Sequence, residues 1–338
     1  MIIRARAPLR ISFGGGGTDV PPYCDERGGA VLSAAINRYA CASIETGKNE
    51  FSIRSLDYDI TVRCGLEDSF IFDGQLDLAK VVLTFFRKEY GLNGGLDVYL
   101  HNDAPPGSGL GSSSAITVAL ISALADLNKL PMDSYQIAEL AYQLERKDAG
   151  ILGGKQDQYA AAFGGFNFIE FENGTTVVNS LRLKPETIFE LEYSLIFAYI
   201  GGQHVSSHII EKQVNNYRTG KMDSIEAMDR LKQLAYDMKN ALLTGKLMLF
   251  GELLDEAWKY KKKMADGISN AYIDEIYEEA KKAGAIGGKV SGAGGGGFMF
   301  FMCDPRCRFA VQECIARQGG EVVNLSFEKN GVRSWRLE

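Results

Sequence analysis

The residues of this 338-residue chain that could do chemistry lie in two glycine-rich stretches and at two carboxylates between them. Pro105–Ser114 reads PPGSGLGSSS. Its glycines Gly107, Gly109 and Gly111 let backbone amides approach a ligand, and Ser112, Ser113 and Ser114 then open a helix whose free N–H groups favour an anion. A phosphate cradle fits these residues, and so does a plain glycine turn capped by Ser112. The loop is not a Walker A motif, because the Lys-Ser/Thr ending is absent, and Ser112 stands where a dinucleotide-binding loop needs its third glycine. Lys289–Phe298 reads KVSGAGGGGF, with five glycines in the six positions from Gly292 to Gly297, a density expected where backbone must approach something closely. The GxGxxG match inside it precedes a strand-like FMFFM where a dinucleotide loop would precede a helix, and is discounted. Between the two stretches stand Glu145, near the end of a helix, and Asp157, in GGKQDQYAAAFGG. Each alone reads as a solvated carboxylate, whereas together they could serve as metal ligand and hydroxyl-orienting group of a phosphotransferase.

Elements must hold these groups in place. Ile2–Ala7 reads as an opening strand, interrupted by the glycine run Gly14–Gly17. Gly29–Ile44 and Phe51–Cys64 read as further strands, and Leu96–His101 as a short strand feeding directly into Pro105. Helical spacing covers Leu76–Tyr90, and Ser112–Asn128 is apolar on nearly every face, as in a buried helix. Ser134–Lys147 reads as a helix capped by Asp133 with Gln136 three residues on. Phe166–Phe171, Ser194–Ile200 and Phe298–Cys303 read as strands, and Met222–Thr244, Met248–Lys263 and Ile273–Ala283 as helices. The charged segment Asn173–Glu192 is the expected domain boundary, and Gly284–Gly297 reads as a glycine-rich stretch. The class is α+β.

Length allows two cores, since single cores stop growing near about 250 to 300 residues. Hydrophobic residues make up 46% and charged residues 24%, the balance of an ordinary folded protein. A net charge of −6 argues against nucleic-acid and membrane-surface binding, which need an excess of Lys and Arg. No signal peptide or membrane span is legible, so a cytoplasmic location is expected. Six scattered cysteines lack a CxxC pair, and His204 and His208 lack the glutamate of HExxH because Val205 holds its place.

Three motifs in order, RAPLRISFGGGGTD (Arg6–Asp19), PPGSGLGSSS and KVSGAGGGGF, resemble those of the GHMP kinases, the galactokinase, homoserine kinase, mevalonate kinase and phosphomevalonate kinase superfamily, over almost the full length. The resemblance implies a two-domain GHMP kinase fold. Residues 1–185 would form a ribosomal protein S5 domain 2-like part with the ATP-binding loop, and residues 186–338 a ferredoxin-like part. The form APLRISFGGGGTDVPPY resembles the heptose 7-phosphate kinases, with L-fucokinases the nearest alternative. A non-catalytic sugar or nucleotide sensor is the alternative of another class, although Ser113, Glu145 and Asp157 are all present.

What the resemblance implies for single residues follows the motifs. Pro106, Gly107, Ser108, Gly109, Leu110, Gly111, Ser112, Ser113 and Ser114 would bind ATP. Ser113 and Glu145 would hold Mg2+, and Asp157 would face the acceptor hydroxyl with Arg10 beside it. Gly15, Gly16, Gly17, Thr18 and Asp19, together with Gly292, Ala293, Gly294 and Gly295, would meet the substrate, with Asp19 accepting from a sugar hydroxyl. A small-molecule sugar phosphate also needs a reader for its distal phosphate. His204 and Ser206, with Ser207, His208 and Lys212 nearby, are the candidates, and Lys155 and Arg27 the alternatives.

Overall fold

A computed structural model describes residues 1–92, 94–172, 174–202 and 206–337. In chain order the first half runs β1 (Ile2–Gly14), α1 (Tyr23–Arg27), β2 (Gly29–Lys48), β3 (Glu50–Ser55), β4 (Ile60–Gly65), α2 (Asp77–Tyr90), β5 (Gly95–Asn102), α3 (Ser112–Leu127), α4 (Ser134–Tyr142), α5 (Gln156–Phe163), β6 (Phe166–Glu172), β7 (Thr175–Ser180) and α6 (Pro185–Ser194). The second runs β8 (Leu195–Tyr199), α7 (Ser206–Arg218), α8 (Met222–Leu243), α9 (Leu247–Met264), α10 (Ala271–Lys282), β9 (Ala285–Val290), β10 (Phe298–Cys303), α11 (Arg308–Arg317), β11 (Glu321–Val323) and β12 (Arg333–Leu337).

The strands form two sheets. One has the order β12-β1-β2-β5-β3-β4, with β6 paired to β2 and β7 to β6. The other has the order β11-β8-β10-β9, all antiparallel, which is the βαββαβ order of a ferredoxin-like unit. The last strand returns to the first sheet, Ile2 opposite Leu337 through Arg6 opposite Arg333, so a division at 185/186 leaves β12 with the half that it follows in sequence and not with the sheet that it joins in space. The halves meet around Phe13 at the end of β1. Its ring packs edge-to-face on Phe250 of α9 and Phe300 of β10, with centroids 5.2 and 5.7 Å apart.

Four expectations about elements change. The single strand expected over Phe51–Cys64 is a hairpin, β3 and β4, because Leu56–Asp59 turns with Asp59 at positive φ. The opening strand continues past Ala7 to Gly14. The stretch expected as a boundary holds β7 and α6. The fourth is β9, hidden in the glycine-rich stretch. A β carbon at Gly287 would lie 2.1 Å from the Gly251 carbonyl oxygen of α9, so close helix-on-strand packing, not a loop, requires glycine there.

The capping box of α4 forms as read: the Asp133 carboxylate accepts from Gln136 N, and Gln136 Oε1 from Asp133 N. The regular helix stops at Tyr142 and widens into a π-helical turn over Gln143–Asp148 that carries Glu145. Among the described residues, no helix is long and apolar enough to cross a membrane.

Candidate active site

Two cavities meet at the PPGSGLGSSS loop. The larger, about 620 Å³, has apolar walls from Leu76, Val82, Leu100, Ala104, Ile116 and Leu120. The smaller, about 290 Å³, contains Arg10, Asp19, Gln156, Asp157, Arg146 and Lys261. Both are lined by Gly107, Ser112, Ser113 and Ile151, so the loop forms their common wall.

Gly109 of the loop is pressed by the second glycine-rich stretch, and Gly111 by Asp157 and Arg10. Gly109 has φ +75°, and a β carbon on it would lie 2.4 Å from the Ser291 carbonyl oxygen. Across this contact Phe298 N donates to Ser108 O (3.0 Å), and the Ser291 hydroxyl donates to Gly109 O (2.9 Å). The two stretches thus approach each other. Only Gly292 and Ala293 of the second reach the smaller cavity, while Gly294 and Gly295 pack on Ile268. In the first, Ser108 and Leu110 are buried and line neither cavity, whereas Pro106 lines the larger one.

Asp157 sits in the first turn of α5, where the helix dipole favours a carboxylate. Its Oδ1 takes both bonds from Arg10, Nε at 2.8 Å and an Nη at 2.6 Å. The other Nη of Arg10 donates to Gly109 O (2.6 Å), tying the ion pair to the loop. Among the described residues Oδ2 takes no hydrogen bond, which leaves it for a ligand.

Glu145 lies on the stripe of Ile137 and Ala141, wholly buried. Its Oε2 accepts from the Ser114 hydroxyl (2.8 Å) and Gln158 Nε2 (2.9 Å), with an Arg146 Nη at 3.3 Å. Burial raises its pKa, against the pull of Arg146 and these hydrogen bonds. Oε1 is buried and has no hydrogen-bond partner among the described residues. The serine on Glu145 is therefore Ser114; Ser113, the one expected beside it, is exposed and faces both cavities.

The glycine run after β1 is held from the other half of the chain. Lys289 Nζ donates to Ser12 O (2.9 Å), Lys261 Nζ to Gly16 O (2.9 Å) and Gln213 Nε2 to Gly17 O (2.8 Å). Thr18 is structural: it is buried, and its hydroxyl donates to Gly15 O (2.8 Å) and accepts from Ala30 N (3.1 Å). Gly15 itself is pressed against the Ala30 carbonyl, and neither it nor Gly16 lines a cavity.

Sequence reasoning missed Lys261, Gln156, Gln213 and Arg146. Lys261 had a legible signal, since it continues the stripe Phe250, Leu254, Ala257 and Trp258 at helical spacing. Burial pushes its pKa down to about 8, with Asp19 opposing and Arg10 adding to the drop. Lys289 is lowered well below the ordinary lysine value, by burial first and then by Lys261 and Arg10. The unfolded chain therefore binds more protons than the folded one between pH 8 and 10.5, and stability rises with pH across that window. Below it the cost of the buried charge is felt in full. Denaturant titrations of wild type and Lys261→Met should show the difference growing in favour of wild type by up to about 3 kcal/mol over this range. A flat difference would remove Lys261 as the group responsible.

Of the candidate distal-phosphate readers, His204 lies outside the described residues, as does the side chain of Ser206. Ser207 of α7 lines the smaller cavity; His208 and Lys212 are exposed and do not. Neither alternative reaches it: the Lys155 ammonium lies over the Tyr142 ring, and Arg27 pairs with Asp229.

Residues 77–165 match the GHMP kinases N terminal domain and residues 238–321 the GHMP kinases C terminal domain. The chain belongs to the GHMP kinases, and so is an ATP-dependent phosphotransferase with the two-domain α+β fold of that family. It is 38% identical over 341 residues to the D-glycero-alpha-D-manno-heptose 7-phosphate kinase of Campylobacter jejuni, covering 99% of each chain. A crystal structure of a D-glycero-D-manno-heptose 1-phosphate kinase from Bacteroides thetaiotaomicron superposes with a TM-score of 0.84 at 36% identity, covering 99% of both chains. The bifunctional fucokinase/GDP-fucose pyrophosphorylase of Arabidopsis thaliana is 28% identical over 88% of this chain and 30% of its own length.

Proposed function

We propose that the protein transfers the γ-phosphoryl group of ATP to the anomeric hydroxyl of D-glycero-D-manno-heptose 7-phosphate, giving the 1,7-bisphosphate. The observation that carries the reading is the pair of cavities sharing one glycine loop. An apolar-walled space suits a nucleobase, and a smaller polar one suits a sugar, with the phosphates at the wall between them. The full-length likeness to a heptose 7-phosphate kinase supports the choice of sugar.

Phosphoryl transfer through a loose transition state asks for positioning and neutralised charge. The loop amides and the start of α3 receive the phosphates. Arg10, fixed between Asp157 and Gly109 O, stands where charge develops on the transferring group. Asp157 Oδ2 accepts the hydrogen of the attacking hydroxyl, and Oδ1 stays with Arg10. The unpartnered, buried Oε1 of Glu145 fits a divalent cation, which Glu145 and Ser113 would hold and which would neutralise charge on the phosphates. Among the described candidates for the distal phosphate, Ser207 is the one that lines the smaller cavity.

ADP release with ATP, magnesium and, side by side, heptose 7-phosphate, L-fucose, mannose and galactose tests the reading. A kcat/KM highest for heptose 7-phosphate is expected. A preference for L-fucose would overturn the sugar while leaving the phosphotransferase standing, and no turnover with any would favour a sensor.

A further inference from the structure

Asp19 has no accessible surface, although it borders the smaller cavity. Its Oδ1 accepts from Gly17 N (3.0 Å) and Gln156 Nε2 (3.1 Å), and its Oδ2 from Gln156 N (3.0 Å). From beneath, Gly154 presses so closely that a β carbon there would lie 1.9 Å from Oδ2. A carboxylate packed and bonded in this way offers little to a sugar.

Gln156 is different. An ionised carboxylate only accepts, so the half of the Gln156 amide that faces Asp19 must be the NH₂. Its orientation is thus fixed by chemistry, and Oε1 is turned the other way. That oxygen is buried and has no hydrogen-bond partner among the described residues, on a residue that lines the cavity beside Asp157. A buried acceptor left unmade is costly, and a ligand hydroxyl would satisfy it.

We propose that Gln156, and not Asp19, accepts a hydrogen bond from a sugar hydroxyl, and that Asp19 acts through Gln156 by fixing which end of the amide faces the substrate. Gln156 is then the specificity residue and Asp19 its positioning residue. The inference rests on the reading of the protein as a sugar kinase. One consequence is particular to this arrangement: Asn at position 19 could present its own NH₂ to Gln156, allowing the amide to turn and show the sugar a donor in place of an acceptor.

The test uses the full-length protein, with sugar and ATP kinetics for wild type, Gln156→Met, Asp19→Asn and the double variant, on the accepted sugar and its monodeoxy analogues. Gln156→Met should lower kcat/KM for the sugar by about 10- to 100-fold, mainly through KM, with KM for ATP unchanged, which also reports that the variant is folded. For one deoxy analogue the wild type and Gln156→Met should become equal within about twofold, because the hydroxyl and its acceptor are then both missing. The double variant should be no worse than the poorer single one. If Gln156→Met retains wild-type KM for the sugar, if its penalty persists with every deoxy analogue, or if the two losses multiply, the proposal is overturned while the kinase reading stands. A wild type that phosphorylates no sugar overturns both.

Discussion

Asp157→Ala is expected to lower kcat by at least about 100-fold, the lower end of what a positioned proton acceptor contributes, with KM for ATP changed little. The reason is the division of labour between the two carboxylate oxygens. Oδ1 is occupied by Arg10, which is itself tied to Gly109 of the PPGSGLGSSS loop, so the carboxylate is held in the smaller cavity beside that loop. Oδ2 has no other described partner and is the oxygen that a hydroxyl can reach. Removing the side chain takes away the acceptor and frees Arg10 from its counter-charge, so both positioning and charge placement suffer together. Steady-state kinetics with saturating sugar would decide; a loss below about tenfold would reject Asp157 as the base.

Glu145→Gln should reduce kcat/KM for the magnesium nucleotide by about 100-fold or more, the range in which removing one preorganised electrostatic group is felt. The glutamine keeps the volume but loses the charge, and its NH₂ must face either the Ser114 and Gln158 side or the orphaned Oε1 position. Either choice puts a donor where the carboxylate had an acceptor. Partial recovery of rate at raised Mg2+ concentration is the outcome expected of a metal ligand. Activity within tenfold of wild type would sink the role, and a large fall in melting temperature without metal dependence would assign Glu145 to packing alone.

What was legible beforehand followed periodicity and motif. The α4 capping box and the buried α3 could be read because local propensity and burial agree there, whereas the ferredoxin-like second unit followed only from the resemblance of the motifs. β9 was not legible, since Gly287 and Gly288 are glycine for the sake of α9 and β10 lying close, and a sequence shows glycine without showing its neighbour. Asp157 and the PPGSGLGSSS loop, which border the smaller cavity, and the buried Glu145 were singled out through their motifs. Gln156 was overlooked because an amide carries no charge signal; its meaning comes only from Asp19, 137 positions away. Thr18 and Asp19 were placed with the substrate by the resemblance of their motif; Thr18 is buried in internal hydrogen bonds, whereas Asp19 lines the smaller cavity and accepts from Gly17 and Gln156.

The three donors that reach Ser12, Gly16 and Gly17 come from β9, α9 and α7, all in the second half of the chain. The turn that shapes the acceptor side is therefore encoded in one half and tensioned by the other. Recombining halves from two relatives would preserve each glycine motif and still lose the pocket, unless the lysines at 261 and 289 and the glutamine at 213 travelled with the turn they hold. For anyone redesigning sugar choice, the smallest exchangeable part is this turn together with its three distant anchors.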